Sequence, residues 1–265
     1  MFIFGLGYSA KALAARLRSE GWEVSGTSRS GGNGTIRFDD AGRVRSALAG
    51  ASHILSSVPP SPDGDDPVLV AYGEELKAAP ARWNGYLSST GVYGDTGGAW
   101  VDESASVGSG RRSARAAAEL RWHALRGDGG DDVRVFRLPG IYGPGRSALE
   151  RVREGRAHLV DAPDQVFSRI HVEDVVAGLI ASFTAQPGVY NLADDAPCAQ
   201  NEVIARACAL LGALLPVKAT LADLSPQARA FYAENRRIAN RKAKRLLGWQ
   251  PLYPDYKAGL AACLK

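Results

Sequence analysis

The sequence predicts an α/β protein: a parallel sheet wound with helices on both faces, followed by a small C-terminal lobe. Three observations carry this. Short apolar runs alternate with amphipathic segments through the first 140 residues, the pattern of strands joined by helical crossovers. A glycine-rich turn, FGLGYSA (4–10), follows the first apolar run and opens a helix. The second half is less regular, but GVYNLA (188–193) reads as a strand returning to the sheet.

The elements follow in order. MFIF (1–4) is a buried-strand run, and 8–21 is a helix with Leu13 and Leu17 four apart and a glycine at its end. Strands are expected at 23–28 and 35–38, a short helix at 43–50 and a strand at 53–58. A helix with proline at its start covers 67–79, and a fifth strand covers 83–90. The basic, alanine-rich GRRSARAAAELRWH begins a helix running from 110 to about 126, and 133–139 is a sixth strand. Helices are then expected at 148–156, 171–184 and 199–212. The segment 223–249 reads as one or two basic helices, followed by a Pro/Tyr-rich turn. The acidic loops at 62–67 and 127–132 are surface connections.

Composition narrows the function classes. A chain of 265 residues with 45% hydrophobic residues can bury a sizeable core. The net charge of +4 comes mostly from 111–126 and 236–245, which read as solvated faces or as a site for an anionic ligand. No aromatic residues interleave with the basic ones, so nucleic acid is not an expected partner. Three cysteines without a CxxC pair and four scattered histidines indicate neither a disulfide framework nor a metal site. No apolar run is long enough to cross a bilayer, so no membrane partner is expected, and a cytoplasmic location is.

The glycine motif places Gly5, Gly7 and Ala10 in a G-x-G-x-x-A arrangement. Gly5 permits the tight turn, Gly7 lets a pyrophosphate approach the backbone, and Ala10 allows close helix–strand packing. Tyr8 and Ser9 lie at the helix N-terminus, whose free N–H groups favour phosphate. This is a Rossmann-type dinucleotide signature. The second strand ends in Thr27, Ser28 and Arg29, where NAD-binding folds usually carry a carboxylate. An arginine there can clamp a 2′-phosphate, so NADP is expected over NAD. The plainer alternative is that Arg29 points into solvent.

Further motifs follow in order: SSTGVYG (88–94), VDE (101–103), FRLPGIYGPGR (136–146), FSRIHVEDVV (167–176), VYNLADD (189–195) and LLGWQPLYPDY (246–256). Together they resemble the extended short-chain dehydrogenase/reductase superfamily, also called NAD-dependent epimerase/dehydratases. The STGVYGDTGGAWVDE wording is most similar to its atypical YeeZ-like subgroup. The resemblance implies a sheet of about seven strands. The Rossmann domain would span 1–145, with 165–195 returning to it. Residues 146–164 and 196–265 would form a substrate lobe.

The resemblance also implies site residues. Ser88 and Ser89 match the strand-end serines, with Ser89 as the hydroxyl that polarises substrate. Ser57 and Val58 border the cofactor, and Pro139, Gly140 and Ile141 lie beside its nicotinamide. Arg169 and His171 shape the substrate site, although His171 also reads as a structural histidine. Arg236 and Arg237 reach a phosphorylated or nucleotide-linked substrate, or else form a solvated face.

In active members the basic helix carries Tyr-x-x-x-Lys. Counting back from Glu119 puts Arg115 at the lysine and Arg111 at the tyrosine, so neither catalytic side chain is present. Arginine has no acceptor and stays protonated, so it cannot exchange a proton near neutral pH. Arg115 can still bind the cofactor ribose, and Arg111 an anionic substrate. Tyr142 is the best alternative acid/base. The expectation is an NADP-dependent oxidoreductase or epimerase acting on a small polar or sugar-nucleotide substrate, as monomer or homodimer. The alternative is a non-catalytic NADP-binding protein with a redox-sensing or partner-binding role.

Overall fold

The computed structural model describes residues 1–61, 63–108, 113–125 and 132–264. Seven parallel strands form one sheet: β1 (Phe2–Phe4), β2 (Ser25–Ser28), β3 (Ile36–Arg37), β4 (His53–Ser56), β5 (Trp83–Ser89), β6 (Val133–Leu138) and β7 (Gly188–Asn191). Their spatial order is β7-β6-β5-β4-β1-β2-β3. The order reverses between β1 and β4, where Phe4 pairs with Ser56. Chains that leave two neighbouring strands in opposite directions open a crevice at the strands' carboxyl ends.

Helices cover both faces. On one side α1 (Tyr8–Ser19) and α6 (Val172–Ala181) bury Leu13, Leu17, Val175 and Leu179 against Trp83 and Phe136 of the sheet. On the other, α2 (Ala41–Ala49), α3 (Pro67–Ala78) and α4 (Ser113–His123) bury Val44, Leu48, Leu76 and Trp122. The buried Asp66 caps α3 by accepting from Val68 N at 2.9 Å and Leu69 N at 3.1 Å. Its second oxygen accepts from Trp122 Nε1 at 2.9 Å, which ties α3 to α4.

A third apolar cluster holds α5 (Ala148–Arg153), α7 (Gln200–Leu211) and α10 (Tyr256–Ala262) together. The Pro/Tyr-rich turn expected after 249 is thus followed by a short helix. The 223–249 segment forms two helices, α8 (Pro226–Tyr232) and α9 (Arg241–Leu247). Between them Arg237–Ile238 pairs as a strand with Trp100–Val101. Not all of 196–265 packs with the C-terminal lobe: Ala243 of α9 and Trp249 belong to the sheet's own core. Trp249 Nε1 donates to Asp174 O at 3.1 Å, and the Asp174 carboxylate accepts from Leu252 N at 2.6 Å and Tyr253 N at 3.2 Å. The HVED and LGWQPLY motifs are therefore two halves of one clamp. Among the described residues no helix is long and apolar enough to cross a membrane.

Candidate functional site

Two hollows lie at the carboxyl ends of the strands. The first, about 690 Å³, is a groove lined by Gly5, Gly7, Ser28, Arg29, Ser57 and Val58, with Phe38 and Asp39 on its wall. Gly5 adopts φ +79°, and its N–H donates to Thr27 Oγ1 at 3.0 Å. Its carbonyl accepts from the Ser57 hydroxyl, and a Cβ there would lie 3.0 Å from Val58. Glycine thus brings the turn after β1 against the end of β4. Gly7 is the N-cap of α1. Among the described residues nothing lies within 4 Å of the place its Cβ would take, and no side chain caps the helix. The first turn, beginning Tyr8–Ser9–Ala10, carries no acidic residue. Its unpaired N–H groups and positive dipole end are those an anion requires.

The expected 2′-phosphate residues differ in their commitments. Ser28 Oγ is 2.7 Å from Thr35 Oγ1 and accepts from Gly31 N at 3.0 Å, so this side chain shapes the 31–35 loop. Arg29 is exposed at the groove lip, with no carboxylate partner among the described residues. Asp39, the carboxylate on the same wall, is paired with Arg37.

The second hollow, about 660 Å³, is a cleft lined by Ser89, Pro139, Gly140, Ile141 and Tyr142 at the strand ends, and by residues from α5, α8 and α10. Gly140–Tyr142 and Arg169–His171 pair as short parallel strands beneath it. Ser89 Oγ accepts from Gly91 N at 3.1 Å, which leaves its own proton available to the cleft. Ser88 is different. Its hydroxyl donates to Glu119, which is 2% exposed. Glu119 also accepts from Arg137, 5% exposed, through Nη2 at 2.7 Å and Nε at 3.1 Å. Arg137 Nη1 donates to Tyr93 OH at 3.0 Å, and Tyr93 OH to Asn191 Oδ1 at 2.8 Å. This buried chain anchors α4 on the sheet, and it gives the glutamate of the helix motif and Tyr93 structural work.

On α4, Arg115 Nη1 donates to Leu87 O at 2.8 Å and to Tyr86 OH at 3.3 Å, while its buried Nε has no hydrogen-bond partner among the described residues. Its guanidinium is thus fixed to the backbone of β5. Arg111 lies outside the described residues.

Two expectations are corrected by burial. The Tyr142 hydroxyl points toward Asp255 O at 3.5 Å, and a Cβ on Gly259 of α10 would overlap it. Burial raises its pKa above the usual phenol value, with the Asp194 charge adding to the effect. A hydroxyl sealed against a helix and harder to ionise is not placed for acid/base work. His171 is 1% exposed and caps α6, its Nδ1 accepting from Glu173 N at 3.3 Å. Burial also lowers its pKa, and it does not line the cleft, so it holds the fold rather than the substrate. Arg169 lines the cleft but is spent inward, on Phe167 O at 2.8 Å, Cys198 O at 3.1 Å and Gln200 Oε1 at 2.9 Å. Arg236 stands in the wall, donating to Gly94 O at 2.6 Å and paired with Glu234 at 2.9 Å.

The tertiary structure adds residues not singled out from sequence: Arg146 and Arg151 in the cleft wall, and Asp39 in the groove. Only Arg146 had a signal, the arginine closing GIYGPGR. Tyr8 leaves the groove side. Its hydroxyl donates to Pro144 O at 3.0 Å, and its ring lies under Arg146.

No protein-family model matches the chain. Protein YeeZ of Escherichia coli K12 is 29% identical over 96% of both chains. A solved structure of a functionally unknown conserved protein from Silicibacter pomeroyi is 41% identical, with a TM-score of 0.87 over 99% of this chain and 97% of that one. A human epimerase family protein solved with NADPH is 20% identical, with a TM-score of 0.80 over the whole of both chains, which shows a shared fold. The chain is thus similar over nearly its whole length to protein YeeZ and to the Silicibacter pomeroyi protein, and it shares the fold of the epimerase family protein.

Proposed function

We propose that this protein binds NADP in the groove and acts as an oxidoreductase or epimerase on a small, polar, anionic substrate in the cleft. The observation that carries the cofactor half is the open, uncapped start of α1 at Gly7, with Arg29 at the same groove's lip. Backbone N–H groups of α1 would hold the pyrophosphate, and Arg29 a 2′-phosphate. Pairing with Arg37 neutralises Asp39, which would otherwise repel that phosphate. The nicotinamide, when bound, supplies hydride transfer. Ser89 would donate its free proton to a substrate oxygen, and Pro139, Gly140 and Ile141 would exclude water beside it.

A second reading is favoured by Arg115. It occupies the position of the catalytic lysine, fixed on Leu87 O, and it cannot shuttle protons. An NADP-binding protein without turnover, serving redox sensing or partner binding, has the same groove.

Calorimetric titration with NADPH and NADH tests the cofactor. Tighter NADPH binding, lost in Arg29→Ala to about the NADH level, supports it. Equal or tighter NADH binding removes the NADP assignment. A substrate screen on NADPH absorbance tests turnover: oxidation that falls in Ser89→Ala supports the enzyme, and NADPH binding without oxidation by any substrate supports the sensor.

A further inference from the structure

The chain carries two Asn-Gly pairs, Asn33–Gly34 and Asn84–Gly85. Asparagine is thermolabile, and most so before glycine, which leaves the following backbone nitrogen unshielded. Loss of the side-chain amide needs that nitrogen free, room to close a ring and water to open it. The fold supplies all three at one pair and denies them at the other.

Asn84 and Gly85 lie inside β5, paired with β4 on one side and β6 on the other. Asn84 is 1% exposed, and a Cβ on Gly85 would lie 2.3 Å from the Trp83 ring. Close packing there locks the backbone and excludes water. Asn33 and Gly34 instead form the tip of the loop between β2 and β3, and both are exposed. Among the described residues the Gly34 N–H has no hydrogen-bond partner, and nothing lies within 4 Å of the place its Cβ would take. The residues around the tip hold it out. Thr35 N donates to Gly32 O at 2.8 Å, Thr35 Oγ1 to the same carbonyl at 2.7 Å, and Gly31 N to Ser28 Oγ at 3.0 Å. The loop is thus anchored on Ser28 and follows directly on Arg29, the cation at the groove lip.

We propose that Asn33 is a site of spontaneous deamidation, and that the carboxylate it leaves weakens the groove's hold on a 2′-phosphate. The Gly34 nitrogen attacks Asn33 Cγ. The N–Cγ bond forms, the Cγ–Nδ2 bond breaks, and the Gly34 proton leaves with Nδ2 as ammonia. Water then opens the succinimide, its hydroxyl going to carbon and its proton to the ring nitrogen. Addition at Cγ gives aspartate, and addition at the main-chain carbonyl carbon of residue 33 gives isoaspartate. Either product puts a negative charge on the loop that begins at Arg29. Asn33 has φ +47°, a region aspartate also tolerates, so the aspartyl form keeps the turn. Its carboxylate repels a 2′-phosphate and competes for Arg29. This second half rests on reading the groove as an NADP site; the deamidation itself does not.

The full chain is held in warm, mildly alkaline buffer, folded or in urea, and peptide-mapped by mass spectrometry over several days. In the folded protein aspartyl and isoaspartyl forms are expected to accumulate at least about tenfold faster at 33 than at 84, and in urea at comparable rates, because only the fold protects the second pair. Equal rates in the folded chain overturn the site, as does an Asn33 that survives in the folded chain but converts in urea. Calorimetric titration reads the consequence. Asn33→Asp is expected to bind NADPH about two- to fourfold more weakly than the parent at low salt, the effect of one exposed charge, with NADH affinity unchanged. Asn33→Gly, neutral and suited to the positive φ, is expected to bind as the parent does and to stay unmodified. Circular dichroism confirms that each variant is folded. Parent-like NADPH affinity in Asn33→Asp, or the same loss in Asn33→Gly, overturns the effect on the groove. If the parent does not bind NADPH, the cofactor reading fails and that effect with it, while the peptide map still decides the modification.

Discussion

Replacing Glu119 with glutamine strands a buried cation. The carboxylate takes Nη2 of Arg137 at 2.7 Å and Nε at 3.1 Å, together with the Ser88 hydroxyl. Apart from that carboxylate, the Arg137 guanidinium has one hydrogen-bond partner among the described residues, the Tyr93 hydroxyl at 3.0 Å. The amide keeps the shape of Glu119, accepts through one oxygen and removes the countercharge. Breaking a buried pair from one side costs about 3–5 kcal/mol, because the remaining charge stays desolvated. Tyr93 and the amide oxygen still solvate Arg137, so the lower end applies, about 3 kcal/mol. For a chain of this size that is roughly 6–12 °C in Tm. Urea and thermal unfolding followed by circular dichroism measure it. The double variant Glu119→Leu/Arg137→Met should recover most of the loss, since no charge is left behind. A single variant within about 1 kcal/mol of the parent would refute the view that this pair anchors α4.

Three further outcomes are expected. Gly7→Val should lower NADPH affinity by about a hundredfold, as the branched side chain fills the phosphate approach. Its Tm should stay near the parent's, because nothing lies within 4 Å of that Cβ and φ is −84°. Asp194 gives a pH signature. Among the described residues neither of its buried oxygens has a hydrogen-bond partner, and burial, outweighing the Arg169 charge, pushes its pKa from 3.8 to about 8. The folded state then holds a proton that the unfolded chain releases, so stability is fully present below about pH 4 and falls as pH rises to about 8. Asp194→Asn should flatten that slope in urea unfolding at pH 5, 7 and 9; an unchanged slope would assign it to other groups. Asp174→Ala removes two acceptors at the α6–Leu252 clamp and should cost about 2–3 kcal/mol, read by urea unfolding.

The alternation of strands and helices was legible because strands such as Phe2–Phe4 and His53–Ser56 are short buried runs bounded by turn residues, and both helix layers carry periodic apolar positions. Boundaries shifted by a few residues, as at β3, where the 35–38 run keeps only Ile36–Arg37. The short pairs 100–101 with 237–238 and 140–142 with 169–171 were not legible, since two- and three-residue strands have no period of their own. Helix α10 went unseen behind Pro251 and Pro254, which read as a turn.

The groove could be read from its local motif, because glycine freedom and an uncapped helix start are properties of consecutive residues. The cleft could not. Whether Arg169, His171 and Tyr142 face a ligand or a neighbouring element depends on side chains from distant parts of the chain: Cys198 and Gln200 against Arg169, α10 against Tyr142, the Tyr253 ring 4.2 Å from His171. The sequence by itself determined the fold class and the glycine turn that opens α1. Only the tertiary structure decided which arginines are spent on carbonyls and carboxylates, because hydrogen-bond partnership is a matter of spatial neighbours that the order of residues does not display.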